Sequence, residues 1–394
     1  MNLSIVQRIL GQLLMLFSIT MLPPTGVALY FDDGNWKPFL EAFAALLLLG
    51  FLIWIPVRKK VRELRLRDGF LIVALFWVVL GIAGAAPLLL SEPLNLSVTD
   101  AIFESVSGFT TTGAIIFPSL EALPPSVLYY RSQVEWLGGI GIVVLAVALL
   151  PMLGVGGMQL LRAETPGPVK DSKLTPRITE TAKYLWIIYF GVTIACAFSY
   201  WAAGMSTFDA IAHGFTTVST GGNSTHDASL GYYNNPVIEM VATLFMFIGG
   251  VNFSLHFLAW RHRSVVNYFR DPEFRTYVRI LGLSVVVYTL VLWLSNFTED
   301  PSRALRLALF HAVSMQTTSG FVTDNLSLWP GALPLILLLS AFVGGCAGST
   351  SGGMKVIRWL LMWKQSQREV VQLVHPSAEL PVKLGAKPID MRIV

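Results

Sequence analysis

Charged residues are scarce in this sequence. Asp, Glu, Lys and Arg together fill 13% of its 394 positions, about half of what a soluble protein carries, and that shortage excludes a water-soluble fold. Cysteine occurs only twice, at Cys196 and Cys346, each inside an apolar stretch. The two say nothing about a disulfide and offer no metal-ligand spacing, and each thiol reads as a small packing residue. No HExxH, nucleophile elbow, P-loop or paired catalytic carboxylate occurs, so the chain is not read as an enzyme. Nor does the N-terminus read as a cleaved signal peptide: its apolar run is too long, and no small-residue cleavage site follows Pro23 and Pro24.

What the sequence has in quantity is apolar length. Spanning a hydrocarbon layer of about 30 Å takes roughly 20 helical residues. Eight runs meet that need: 9–30, 39–57, 69–90, 136–161, 184–208, 240–260, 280–298 and 333–354. The predicted fold is therefore an all-α polytopic membrane protein in contact with lipid. Basic residues alternate between the connections. Arg58, Lys59, Lys60, Arg62, Arg65 and Arg67 follow the second run, and Arg162, Lys170, Lys173, Arg177 and Lys183 follow the fourth. Arg261, Arg263, Arg270, Arg275 and Arg279 follow the sixth; Lys355, Arg358, Lys364 and Arg368 follow the eighth. The other connections are poor in Lys and Arg, so by the positive-inside rule both termini are cytoplasmic. Topology explains these clusters without nucleic acid.

Three stretches align without gaps: AIFESVSGFTTTGA from Ala101, AIAHGFTTVSTGGN from Ala210 and ALFHAVSMQTTSGF from Ala308. Gly113 matches Gly222 and Gly320, Thr111 matches Thr220 and Thr318, and Glu104 matches His213 and His311. The glycines lie 109 and 98 residues apart, which marks internal repeats. Each unit has a spanning run, a half-length apolar segment, a Thr/Ser/Gly-rich stretch and another spanning run. The half-length segments hold about ten residues, half of a crossing, and begin at N-caps: Ser97 or Thr99, Ser206 or Thr207, and Ser302. Non-helical backbone at membrane depth survives only when buried in protein or lining a water-filled path, so each stretch reads as a re-entrant pore loop. The expected division is an N-terminal hairpin (1–60), pore repeats at 61–165, 166–265 and 266–368, and a cytoplasmic tail or linker at 369–394. Rings of backbone carbonyls can replace the water around a cation, glycine permits the dihedrals this requires, and Thr and Ser add hydroxyl ligands.

These residues resemble the Trk/Ktr/HKT superfamily of potassium transporters, through SGFTTTGA, GFTTVSTGGNS, SMQTTSGF and GGCAGSTSGGMK, and the likeness covers essentially the whole chain. The resemblance implies potassium uptake across a bacterial inner membrane through four units around a pseudo-fourfold axis, after an extra N-terminal hairpin. It implies a homodimer, a cytosolic nucleotide-binding regulatory partner of the TrkA type, and no organic cofactor. It maps the potassium-coordinating filter onto Thr111, Thr112, Gly113, Thr220, Gly221, Gly222, Thr318, Ser319 and Gly320. Glycine at 113 favours potassium over sodium by the family's pattern. Only three units are read, so a fourth is expected to follow near residue 394, and residues 1–394 alone are not expected to restore uptake.

The last run holds Gly344, Gly345, Gly348, Ser349, Thr350, Ser351, Gly352 and Gly353. Glycine costs a helix interior roughly 1 kcal/mol relative to alanine, so the helix should unwind there. A small-residue packing face is one reading; a flexible gate loop blocking the path, as the resemblance implies, is the other. His213 and His311 read as polar groups satisfied behind the filter, and Arg131 with Glu135 as a local ion pair four residues apart. Asn252 and His256 are polar inside a span without an evident partner. A sodium- or proton-coupled symporter remains the alternative function; its candidate carboxylates Glu41, Glu135 and Glu239 all lie near the ends of runs.

Overall fold

The computed structural model describes residues 3–60, 66–139, 141, 178–375, 381, 383–384 and 387–388. It is all-helical apart from a two-residue β pair, Lys383–Leu384 with Lys387–Pro388. The helices in chain order are α1 Leu3–Ile19, α2 Leu22–Phe31, α3 Trp36–Trp54, α4 Leu66–Ala83, α5 Ala86–Leu90, α6 Val98–Phe109, α7 Pro125–Gly139 and α8 Ile178–Ala202. They continue with α9 Thr207–Val218, α10 Pro236–Gly249, α11 Phe253–His262, α12 Val266–Arg270, α13 Pro272–Leu294, α14 Pro301–Gln316, α15 Leu333–Val343 and α16 Val356–Val374.

Among the described residues five helical spans are long and apolar enough to cross a membrane, or six if the bent pair α10–α11 counts as one. They match five of the eight predicted runs directly. The fourth run lies outside the described residues beyond Gly141. The first run is interrupted at Thr20 and Met21, because Pro23 and Pro24 open a new helix where their missing N–H groups do no harm. The sixth run is not one straight span: α10 and α11 meet at 93°. The eighth is helical only to Val343, and helix resumes at Val356, which carries α16 to Val374 and past the expected start of a tail at 369.

Three helices are short and sit between spans: α6 and α9 with 12 residues each and α14 with 16. Ser97 and Ser206 cap the first two, their hydroxyls accepting the N–H groups of Asp100 and Asp209 at 3.1 and 3.0 Å. The third begins earlier than expected. Asp300, not Ser302, is the cap, accepting the Ser302 N–H at 2.9 Å with Pro301 in the first turn. An ionised carboxylate before proline outcompetes a hydroxyl two residues on, and that explains the extra turn. One apolar core joins α1, α3, α4 and α7 to α6; a second joins α8, α10, α13 and α15 to α9 and α14. Each short helix is thus held inside a cage of longer ones.

Candidate functional site

The three short helices end alike. The N–H of Thr112 donates to the Ser107 carbonyl (2.9 Å) and that of Thr111 to Gly108 (3.0 Å). Gly221 and Thr220 repeat the pair onto Thr216 and Thr217 at 3.0 and 3.1 Å, and Ser319 and Thr318 onto Ser314 and Met315 at 2.8 and 3.0 Å. Each is a Schellman ending, whose left-handed position is normally glycine. Here it is threonine: φ is +51° at Thr111, +54° at Thr220 and +58° at Thr318. A β-branched residue in that region costs on the order of 1–3 kcal/mol, and such strain persists where its surroundings enforce it. Two residues on, Gly113, Gly222 and Gly320 return to positive φ at 70°, 82° and 78°. The alternation turns successive peptide planes, which allows neighbouring carbonyls to face one way.

The loops lie against one another in chain order. A Cβ on Gly113 would stand 2.4 Å from the Gly221 carbonyl oxygen, and one on Gly222 would stand 1.7 Å from that of Ser319. No side chain fits at either place. Gly320 faces open space. All nine predicted filter positions thus fall in three contiguous loop tips, with first touching second and second touching third.

Behind the tips, equivalent positions hold the returning strands. His213 bonds the Asp209 carbonyl and the Ser224 hydroxyl, both at 2.9 Å. His311 bonds the Leu307 carbonyl at 2.9 Å and accepts the Thr323 N–H at 3.3 Å. Glu104 accepts the Ile116 N–H at 3.3 Å and the Arg131 Nε–H at 2.5 Å. Both histidines are fully buried. The local Arg131–Glu135 pair expected from the spacing is not formed. Arg131 turns to Glu104 and to the Asn223 Oδ1 at 3.2 Å, while Glu135 accepts the Asn223 N–H at 3.2 Å. The expectation failed because the Glu104 carboxylate of α6 and the Asn223 backbone N–H compete for these groups. Of the other coupling candidates, Glu239 lies 3.3 Å from Arg306, and Glu41 is exposed.

The glycine-rich segment 344–355 packs directly on the second and third tips. Gly344 and Gly353 bring its two ends together, a Cβ on Gly353 lying 2.7 Å from the Gly344 Cα. Thr350 donates its hydroxyl to the carbonyls of Val218 (2.9 Å) and Gly249 (3.0 Å), and the Thr220 hydroxyl reaches Thr350 at 3.3 Å. The Gly352 N–H donates to the Thr318 hydroxyl at 2.7 Å. The Ser349 hydroxyl closes an internal turn on the Cys346 carbonyl at 2.6 Å, and Ser351 is buried with Lys355 donating to its carbonyl. Gly345 lies against Gly250, and Gly348 against Asn252.

The bend between α10 and α11 receives this segment. Cys346 and Thr350 donate their N–H groups to the Gly250 and Gly249 carbonyls at 2.8 and 3.2 Å, and Phe253 donates to the Gly348 carbonyl at 2.9 Å. Asn252 caps α11 by accepting the Ser254 N–H at 2.8 Å. His256 bonds the Ile248 carbonyl at 3.0 Å and the Tyr268 hydroxyl at 2.8 Å. Both residues therefore serve the break itself. Glu273, in the first turn of α13, went unnoticed in the sequence. Its Oε1 accepts the N–H of Ala347 at 2.6 Å and of Ile357 at 3.1 Å, one on each flank of the segment. An acid one residue after an Asp-Pro cap looks like an ordinary helix start, which hid it.

Among the described residues no group of His, Cys, Asp and Glu is placed to hold a metal ion. What the tips offer instead is carbonyl and hydroxyl oxygen, the ligand type of a weakly held, hard monovalent cation.

A family model described as TrkH, cation transport protein, matches residues 36–394. The chain is 54% identical over 385 residues to the Trk system potassium uptake protein TrkH of Halomonas elongata, covering 98% of this chain and 80% of that protein. It is 52% identical over 394 residues to the protein of the same name from Escherichia coli K12, covering 100% and 82%. The crystal structure of the potassium transporter TrkH from Vibrio parahaemolyticus superposes with a TM-score of 0.90 at 48% identity, covering 100% of this chain and 81% of that one.

Proposed function

The chain belongs to the TrkH family of cation transport proteins, and from that premise we propose that it is the permeation subunit of a Trk-type potassium uptake system. The observation that carries the reading is the threefold recurrence of a strained Thr and, two residues on, a left-handed Gly at the end of a buried half-length helix. Each tip would present carbonyl oxygens to the ion, with Thr111, Thr112 and Gly113, Thr220, Gly221 and Gly222, and Thr318, Ser319 and Gly320 as the filter. The C-terminal ends of α6, α9 and α14 add partial negative charge toward the same place. Water is replaced by oxygen dipoles that need no counter-charge.

The segment 344–353 acts as the gate. Two of its residues bond filter threonines while others bond the α10–α11 bend, which sets the segment beside the tips, where an ion leaving the filter would meet it. The system further comprises a homodimer in the bacterial inner membrane, with both termini of this chain cytoplasmic and a TrkA-type regulator on that side. The test is uptake of potassium by proteoliposomes of the full-length protein, with sodium and proton gradients set independently. Potassium flux that follows only its own gradient supports a gated pore. Flux that stops when sodium or proton gradients are removed overturns it in favour of coupled symport.

A further inference from the structure

The first and third loops are tied to their own helices by a hydroxyl. Ser107 donates to the Ala114 carbonyl at 2.8 Å and Ser314 to the Phe321 carbonyl at 2.7 Å, in each case the residue directly after the loop glycine. The second loop lacks this tie. Its matching residue, Thr216, directs its hydroxyl back along its own helix, to Ala212 and His213, each at 3.3 Å. The residue after the loop glycine is here Asn223, and it is held from outside the unit. From α7, Arg131 takes its side-chain oxygen and Glu135 its backbone N–H, at 3.2 Å each. The same Arg131 is anchored on Glu104 of α6. Glu135 also lies behind the neighbouring tip, where a Cβ on Gly221 would stand 2.3 Å from its Oε2 and one on Gly113 3.8 Å from its Oε1.

All four residues are almost fully buried, with exposures of 3% for Glu104, Arg131 and Asn223 and 0% for Glu135. Glu135 Oε1 has no hydrogen-bond partner among the described residues. Burying three ionisable groups is less stabilising than packing apolar side chains of the same volume. Their presence therefore points to placement of the loop, not to stability.

We propose that Glu135 and Arg131 are positioning residues for ion selectivity: together they clamp Asn223 and so fix the tip of the second loop, whose Gly221 carbonyl lies against Gly113 of the first loop and whose Gly222 lies against Ser319 of the third. This rests on the filter reading above. Carbonyl ligands discriminate between ions through their number, field and freedom to move. A loop without its internal tie would let Gly222 shift and admit a smaller ion's geometry.

The test is the ratio of potassium to sodium flux in proteoliposomes of the full-length protein, a ratio that does not depend on how many molecules fold. Glu135→Ala is expected to lower the ratio about tenfold, and Asn223→Ala to lower it in the same direction. Glu135→Gln keeps an acceptor for the Asn223 N–H and should stay within about threefold of the parent. Gly320→Ala serves as the filter control, since its methyl meets nothing within 4 Å while its φ of +78° resists alanine. If Gly320→Ala lowers the ratio and Glu135→Ala and Asn223→Ala do not, the clamp is overturned and the filter stands. If none of the three moves it, the filter reading falls and the clamp with it. For a variant without flux, thermal protection of the purified protein by potassium over sodium chloride is compared with the parent. An undiminished preference there also overturns the proposal.

Discussion

Removing the Glu273 carboxylate should release the gate segment. Its Oε1 holds the Ala347 N–H at 2.6 Å and the Ile357 N–H at 3.1 Å, and the side chain is 7% exposed. A buried N–H left without its acceptor costs about 1–3 kcal/mol. Glu273→Ala leaves both N–H groups without their acceptor, and partial relaxation brings the net loss to about 2–3 kcal/mol. If the acceptor is bound only in the closed arrangement, each 1.4 kcal/mol shifts the closed-to-open ratio about tenfold, so basal opening rises about 30- to 100-fold. Glu273→Gln keeps a neutral acceptor and should produce only a several-fold rise. The assay is potassium flux into proteoliposomes of the full-length protein without any regulatory protein, normalised to monodisperse protein by gel filtration. Monodisperse Glu273→Ala protein with parental basal flux would refute the latch and weaken the gate with it.

Gly113→Ser should lower the potassium-to-sodium permeation ratio, because its Cβ would approach the Gly221 carbonyl to 2.4 Å; a parental ratio in liposome flux would misplace Gly113. Thr350→Val removes the hydroxyl that satisfies the Val218 and Gly249 carbonyls, a loss of about 1–3 kcal/mol, and should raise basal flux without changing selectivity. Asp300→Ala should lower thermal stability by about 1 kcal/mol as a lost N-cap, while Ser302→Ala has a smaller effect; melting of the two purified variants decides which residue is the cap. The Asp227 carboxyl is held below its ordinary range, first by the Leu120 N–H. Its tie between the first and second loops is therefore present above the ordinary carboxylate range and lost as pH falls through the lowered folded value. Thermal melting of the parent should accordingly fall toward that of Asp227→Asn below about pH 4.

The spans were legible because a hydrocarbon layer demands length and apolarity and little else. The alignment of Gly113, Gly222 and Gly320 was legible for a similar reason: all three take positive φ, and at Gly113 and Gly222 a neighbouring carbonyl also leaves no room for a side chain. Partners were not legible. Arg131 and Glu135 sit at helical spacing and look like each other's counter-ions, yet both reach Asn223, 92 and 88 residues away. The bend at Gly249–Phe253 was also hidden, since Asn252 is a single polar residue in an otherwise apolar run and the broken hydrogen bonds are made good by residues about a hundred positions later. Ser302 misled as a cap because the stronger acceptor, Asp300, stands two residues before it.

The two interruptions, one after Gly249 and one after Val343, are each unsustainable alone in hydrocarbon, where an unpaired peptide group costs several kcal/mol. They exist because each supplies the other's missing partners: Gly249 and Gly250 give carbonyls, Gly348 gives a third, and Cys346, Thr350 and Phe253 give N–H groups. Like two half-open zips engaged with each other, neither can be drawn away while the other stays as it is. Either α10 and α11 must straighten and close their own ladder, or water must flood the gap. A conducting state would then be recognised by hydrogen exchange at Phe253 and Ser254 as readily as at the glycines.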